Sequence, residues 1–129
     1  MKQMDMEALV RRFYELPGKI VKLHDGEYLF REGDAARYFY IVRSGQVFIT
    51  KYASSGRVLS LRLASRDSIV GELALYEQKP AYIFNAIAQS AAEVYAIEYP
   101  VLQDYLERTP KLATNLLKIV GAHMRKQHS

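Results

Sequence analysis

The chain has 129 residues, half of them hydrophobic and a quarter charged, which fits one globular domain with a core of its own and excludes disorder as the main state. It has no cysteine, which excludes a disulfide framework, a thiolate zinc site and a cysteine nucleophile, and suits a reducing compartment. Of its 18 basic residues, Lys111, Lys118, Arg125 and Lys126 lie after Thr109 among no acids, so the formal charge of +4 sits in the last segment and the rest sums to zero. A basic helix end complements its own dipole, so the surplus alone does not argue for nucleic acid.

The first residues, Met1 to Glu7, carry acids and no apolar run of signal-peptide length. No stretch of about 18 apolar residues occurs, so the expectation is a cytoplasmic protein with no membrane partner. Met4 to Tyr14 reads as a short helix, with Met6, Leu9, Val10 and Phe13 at helical spacing and Pro17-Gly18 as its stop. Turn signals then recur every 7 to 12 residues: Asp25-Gly26, Glu32-Gly33-Asp34, Ser44-Gly45 and Ser54-Ser55-Gly56. That spacing predicts an antiparallel barrel or sandwich.

The segments between the turns read as strands. Ile20-Val21, Tyr28 with Phe30, Tyr38 to Val42, and Val47 with Ile49 come first. Leu59, Leu61 and Leu63 then alternate with Ser60, Arg62 and Ala64, the period-2 pattern of a half-buried strand. Further strands are expected around Tyr82 to Ala88 and Glu93 to Ile97. Pro100 to Arg108 reads as an amphipathic helix, after which Thr109 as cap and Pro110 as first helical residue start another. The fold class is therefore α+β: a β-roll or jelly roll over about 18–98, a short N-terminal helix, and two C-terminal helices over 99–129, all in one domain.

One segment departs from the strand texture. Ile69-Val70-Gly71-Glu72-Leu73-Ala74-Leu75-Tyr76 combines a glycine that permits close backbone approach with a stretch, Glu72 to Tyr76, that reads as one or two helical turns. A helix start offers unpaired N–H groups to an anion, whereas the Glu72 carboxylate would repel a phosphate and accept from a sugar hydroxyl. The plainer reading is a connector in which Glu72 offsets the helix dipole, and spacing alone favours it.

With the glycine-punctuated hairpins before it and strands and two helices after it, Gly71-Glu72-Leu73-Ala74-Leu75 resembles the phosphate-binding cassette of the cyclic nucleotide-binding domain. The nearest branch is the effector domain of the catabolite activator (Crp/Fnr) family of bacterial transcription regulators, and the resemblance runs from about Gly18 to Arg125. It implies a regulatory sensing module whose effector is cyclic AMP, cyclic GMP or another small molecule. In that family the cassette amides meet the cyclic phosphate, and the glutamate matched by Glu72 holds the ribose 2′-hydroxyl. The pattern then calls for an arginine followed by a small residue, where this chain has Tyr82 and Ile83.

Losing a charge-assisted phosphate contact would cost several kcal/mol, at least about a hundredfold in affinity, and the single neutral hydrogen bond of Tyr82 is a poor substitute. Two cations are available as replacements, Lys79 and Arg62, and an arginine breaking a leucine alternation faces solvent more readily than core. The resemblance thus predicts a degenerate cassette, bounded by Arg62, Gly71, Glu72, Leu73, Ala74, Tyr82 and Ile83, or one filled by its own side chains. It also implies a homodimer, with Leu112, Leu116, Ile119 and His123 as a seam on the last helix. DNA contact belongs to a helix-turn-helix domain for which this chain has no room. Catalysis and metal binding find no constellation: His24, His123 and His128 are scattered, and Glu72 has no second carboxylate at useful spacing.

Overall fold

The structure, a computed structural model, describes residues 5–127, with the side chains of Ser60, His123, Met124, Lys126 and Gln127 outside that description. The chain runs α1 (Met6–Phe13), β1 (Lys19–Leu23), β2 (Tyr28–Phe30), β3 (Tyr38–Ser44), β4 (Val47–Tyr52), β5 (Val58–Ala64), β6 (Ile69–Val70), β7 (Asn85–Ala88), β8 (Ala92–Glu98), α2 (Tyr99–Arg108) and α3 (Pro110–Gln127). The strands form two four-stranded sheets, ordered β1-β8-β3-β6 and β2-β7-β4-β5, with every pairing antiparallel. This is the α+β roll that the turn spacing predicts. Within the described residues, α1 begins at Met6, where Asp5 accepts a hydrogen bond from the Ala8 amide at 2.8 Å.

The two faces of the first sheet bury against different things. On β3, Tyr40 and Val42 pair with Ala96 and Val94 and turn into the roll, while Phe39 and Ile41 pair with Ile97 and Tyr95 and turn outward. The helices cover that outer face: Phe13 of α1 meets Phe39 edge-on with ring centres 5.3 Å apart. Leu102 and Leu106 of α2 and Leu112 and Leu116 of α3 are buried in the same core. A strand buried on both sides needs no alternation, which is why Tyr38 to Val42 reads as an unbroken apolar run.

Several expectations are corrected. Glu72 to Tyr76 forms no helix but two successive turns, with Leu75 N donating to Glu72 O at 3.3 Å and Glu77 N to Ala74 O at 3.2 Å. The strand expected from Tyr82 shortens to Asn85–Ala88, because Tyr82 bonds the preceding loop instead, its amide to Asp34 O and its carbonyl to the Gly33 amide. Thr109 does not cap α3 with its hydroxyl, which donates back to Tyr105 O at 2.8 Å and closes α2. Two of the three leucines of β5, Leu59 and Leu63, are exposed, and Leu61 is half-buried against the core. A shift in register opposite Ile49 and Thr50 pairs Arg62 with the buried Ile49 and Leu63 with the outward Phe48, leaving Leu63 43% exposed.

The last helix is also reassigned. Leu112 and Leu116 are spent in the chain's own core rather than left for a seam, Ile119 is half-buried against that core, and the His123 side chain lies outside the described residues. Among the described side chains of α3, Leu117 is the large apolar residue left exposed, at 70%. No helix among the described residues is long and apolar enough to cross a membrane.

Candidate functional site

Gly71 directly follows β6 with φ +81°, a left-handed conformation that favours glycine. A Cβ there would stand 3.1 Å from Tyr38 O and 3.2 Å from the Tyr82 ring, so the glycine also lets the cassette turn lie against β3. The turn carries Glu72, Leu73 and Ala74 to the mouth of the roll, opposite Arg62 of β5 and the 82–84 segment. All seven residues singled out in the sequence come together: Arg62, Gly71, Glu72, Leu73, Ala74, Tyr82 and Ile83 line one cavity. Phe30, Ile49, Val70 and Phe84 complete the walls. Lys79 is exposed and does not line it.

Arg62 lies inside the site, not in solvent. Its side chain is 11% exposed, and one guanidinium nitrogen donates to Ile69 O at 2.8 Å and pairs with Glu72 Oε1 at 3.4 Å, the Glu72 side chain being 3% exposed. The cause is the β4–β5 register, since Arg62 opposes Ile49 and shares its inward face. Burial pushes the guanidinium pKa down and Glu72 opposes that shift, so the ion pair is what holds the charge inside.

Tyr82 fills the space between the walls. Its ring stacks on Phe30 at 3.8 Å between centroids and 13° between planes. Its hydroxyl donates to Tyr38 O at 2.9 Å and accepts from the Tyr38 amide at 3.2 Å. Burial raises the pKa values of Tyr40, Tyr82 and Tyr99, whose hydroxyls lie near one another, so all three stay neutral donors through the physiological range. The space left is about 20 Å³, room for one water molecule, against the hundreds of cubic ångströms that a nucleotide-sized ligand needs.

Sequence reasoning missed Phe30, Tyr38, Tyr99 and Gln103 as parts of this neighbourhood. The alternation of Tyr28 and Phe30 was a signal for an inward Phe30, but nothing local in the sequence brings α2 against the cassette turn. Tyr99 donates to Gly71 O at 2.5 Å and Gln103 Nε2 to Leu75 O at 2.6 Å.

The architecture is an antiparallel roll with a glycine-led turn across its mouth and helices packed behind that turn. The chain belongs to the cyclic nucleotide-binding domain family, whose model matches residues 20–109. It is 34% identical over 128 residues to the anaerobic regulatory protein of Bacillus subtilis (strain 168), covering 97% of this chain and 54% of that protein. It is 26% identical over 106 residues to the CRP-like cAMP-activated global transcriptional regulator of Mycobacterium tuberculosis, covering 81% of this chain and 46% of the relative. The chain thus spans about half the length of these curated relatives.

Among solved structures, the N-terminal domain of a transcriptional regulator from Streptomyces coelicolor A3(2) matches with a TM-score of 0.66 and 29% identity, over 85% of this chain and 78% of that one. The catabolite activator protein of Thermus thermophilus shares the fold with a TM-score of 0.79 at 21% identity, over 95% of this chain and 55% of its own. The relatives are regulators of the Crp/Fnr type, in keeping with the resemblance carried by the cassette motif.

Proposed function

We propose that this chain is a non-catalytic regulatory module, the effector portion of a Crp/Fnr-type transcription regulator, whose cassette is occupied by its own side chains. Residues 18–98 form the roll, and α2 and α3 are the helices that carry its output, within one domain. The observation that carries this reading is the cavity of about 20 Å³ that its lining side chains leave. Tyr82 fills the space between the walls, and Arg62, the cation best placed to meet a phosphate, is engaged by Glu72 and Ile69. A cyclic nucleotide would have to displace the Tyr82–Phe30 stack and break the Arg62–Glu72 pair before gaining any contact. The module therefore does not take cyclic AMP or cyclic GMP in the family's usual way, and contact with DNA is assigned to a separate domain.

Calorimetric titration of the purified chain with cyclic AMP and then cyclic GMP tests this. The expected result is no heat and no rise in melting temperature at millimolar ligand, since a ligand that binds the folded state must stabilise it. Micromolar binding would overturn the reading and make Arg62, released from Glu72, the phosphate partner; Arg62→Ala should then abolish it.

Self-association is the second part of the proposal, and exposed Leu117 favours it. The seam moves off Leu112 and Leu116 and onto the α3 face that carries Leu117, since Ile119 and Val120 are half-buried against the chain's own core.

A further inference from the structure

α2 grips the cassette turn at both of its ends. Tyr99 Oη donates to Gly71 O at 2.5 Å where the turn begins, and Gln103 Nε2 donates to Leu75 O at 2.6 Å near its end. The two donors are four residues apart, so they stand one above the other on one helix face. The turn's own bonds, at 3.3 and 3.2 Å, are long, so the two donors from α2 add support that the turn does not supply itself. Tyr99 is itself pinned: its ring is buried and its amide donates to Arg37 O at 2.9 Å, just before β3.

The geometry points to a two-point clamp in which Tyr99 and Gln103 hold the cassette turn closed without any ligand, so that the turn and α2 move as one body while Tyr82 stays anchored to β3. It deepens the reading of a self-occupied cassette by naming what keeps it shut. Two main-chain carbonyls of an irregular turn, Gly71 O and Leu75 O, take their donors from a separate element, so withdrawing α2 strips both at once. The pull then runs from helix to turn: whatever displaces α2, or α3 joined to it at Thr109, loosens the turn.

Amide hydrogen exchange read by mass spectrometry on the whole chain, without ligand, tests the clamp in Tyr99→Phe, Gln103→Leu and the double variant. Tyr99→Phe keeps the packed ring and removes only the donor, and Gln103 is half-buried, so both variants should fold. The expected result is faster exchange in peptides over 71–77, by about fivefold to tenfold per bond removed, and more in the double variant, with β3 and β8 unchanged. Unchanged exchange over 71–77 in the double variant would overturn the clamp. So would an equal rise across β3 and β8, which would mean a loss of global stability only. Cyclic nucleotide binding by the wild-type chain would remove the self-occupied reading while leaving this ligand-free measurement valid, so the two failures are distinguishable.

Discussion

Replacing Arg62 with methionine keeps a long side chain on β5 and removes its charge. The side chains of Arg62 and Glu72 are 11% and 3% exposed, so solvent screens their interaction little. The substitution takes the cation from a buried carboxylate and the donor from Ile69 O. Breaking a buried pair from one side costs about 3–5 kcal/mol. In a chain of this size each kcal/mol moves the midpoint by roughly 3–5 °C, so Arg62→Met should melt about 10–25 °C below wild type. Urea denaturation followed by far-UV circular dichroism measures the same loss without tryptophan, which the chain lacks. Glu72→Leu and the double variant complete a cycle. Replacing both charges should cost about 2 kcal/mol less than the sum of the single changes, because neither charge is then left behind. A loss below about 1 kcal/mol for Arg62→Met, or single effects that add within about 0.5 kcal/mol, would refute a buried, coupled pair.

Three further outcomes follow from other parts of the molecule. Gly71→Ala should cost more than Gly33→Ala by denaturation: both glycines have positive φ and share a backbone penalty of about 1–2 kcal/mol, but only at Gly71 does the added methyl meet Tyr38 O and Tyr82. Equal costs would mean that the turn is not pressed against β3. Burial raises the pKa values of Tyr40, Tyr82 and Tyr99, so the folded state keeps protons that the unfolded chain releases; stability is full below about pH 10 and falls as pH rises above it. Absorbance at about 295 nm should accordingly show these tyrosines ionising together with the loss of circular dichroism, and their titration in a still-folded chain would contradict the burial. Leu117→Glu should leave stability within about 0.5 kcal/mol and lower the mass by light scattering, whereas Leu112→Ala should cost about 2–5 kcal/mol. An unchanged mass for Leu117→Glu would exclude the α3 seam.

The sequence by itself determined the roll, because glycines and Asp-Gly or Ser-Gly pairs force turns where they occur whatever surrounds them, and the strands must fit between. The candidate site was legible as well: Gly71-Glu72-Leu73-Ala74 is a local motif, and Tyr82 and Ile83, which line the same cavity, sit at a countable distance from it. Only the tertiary structure decided which way Arg62 points. A period-2 pattern separates two faces of β5 without saying which is buried, and the register shift against β4 turned Arg62 inward and Leu63 outward. The same holds for α3, whose apolar stripe suits the roll or a second copy equally; packing behind the first sheet claimed Leu112 and Leu116 and left Leu117. The contacts of Tyr99 and Gln103 with the cassette turn span 28 residues each. Such contacts belong to no local pattern, since side-chain spacing along one helix carries no information about the distant carbonyls it will meet.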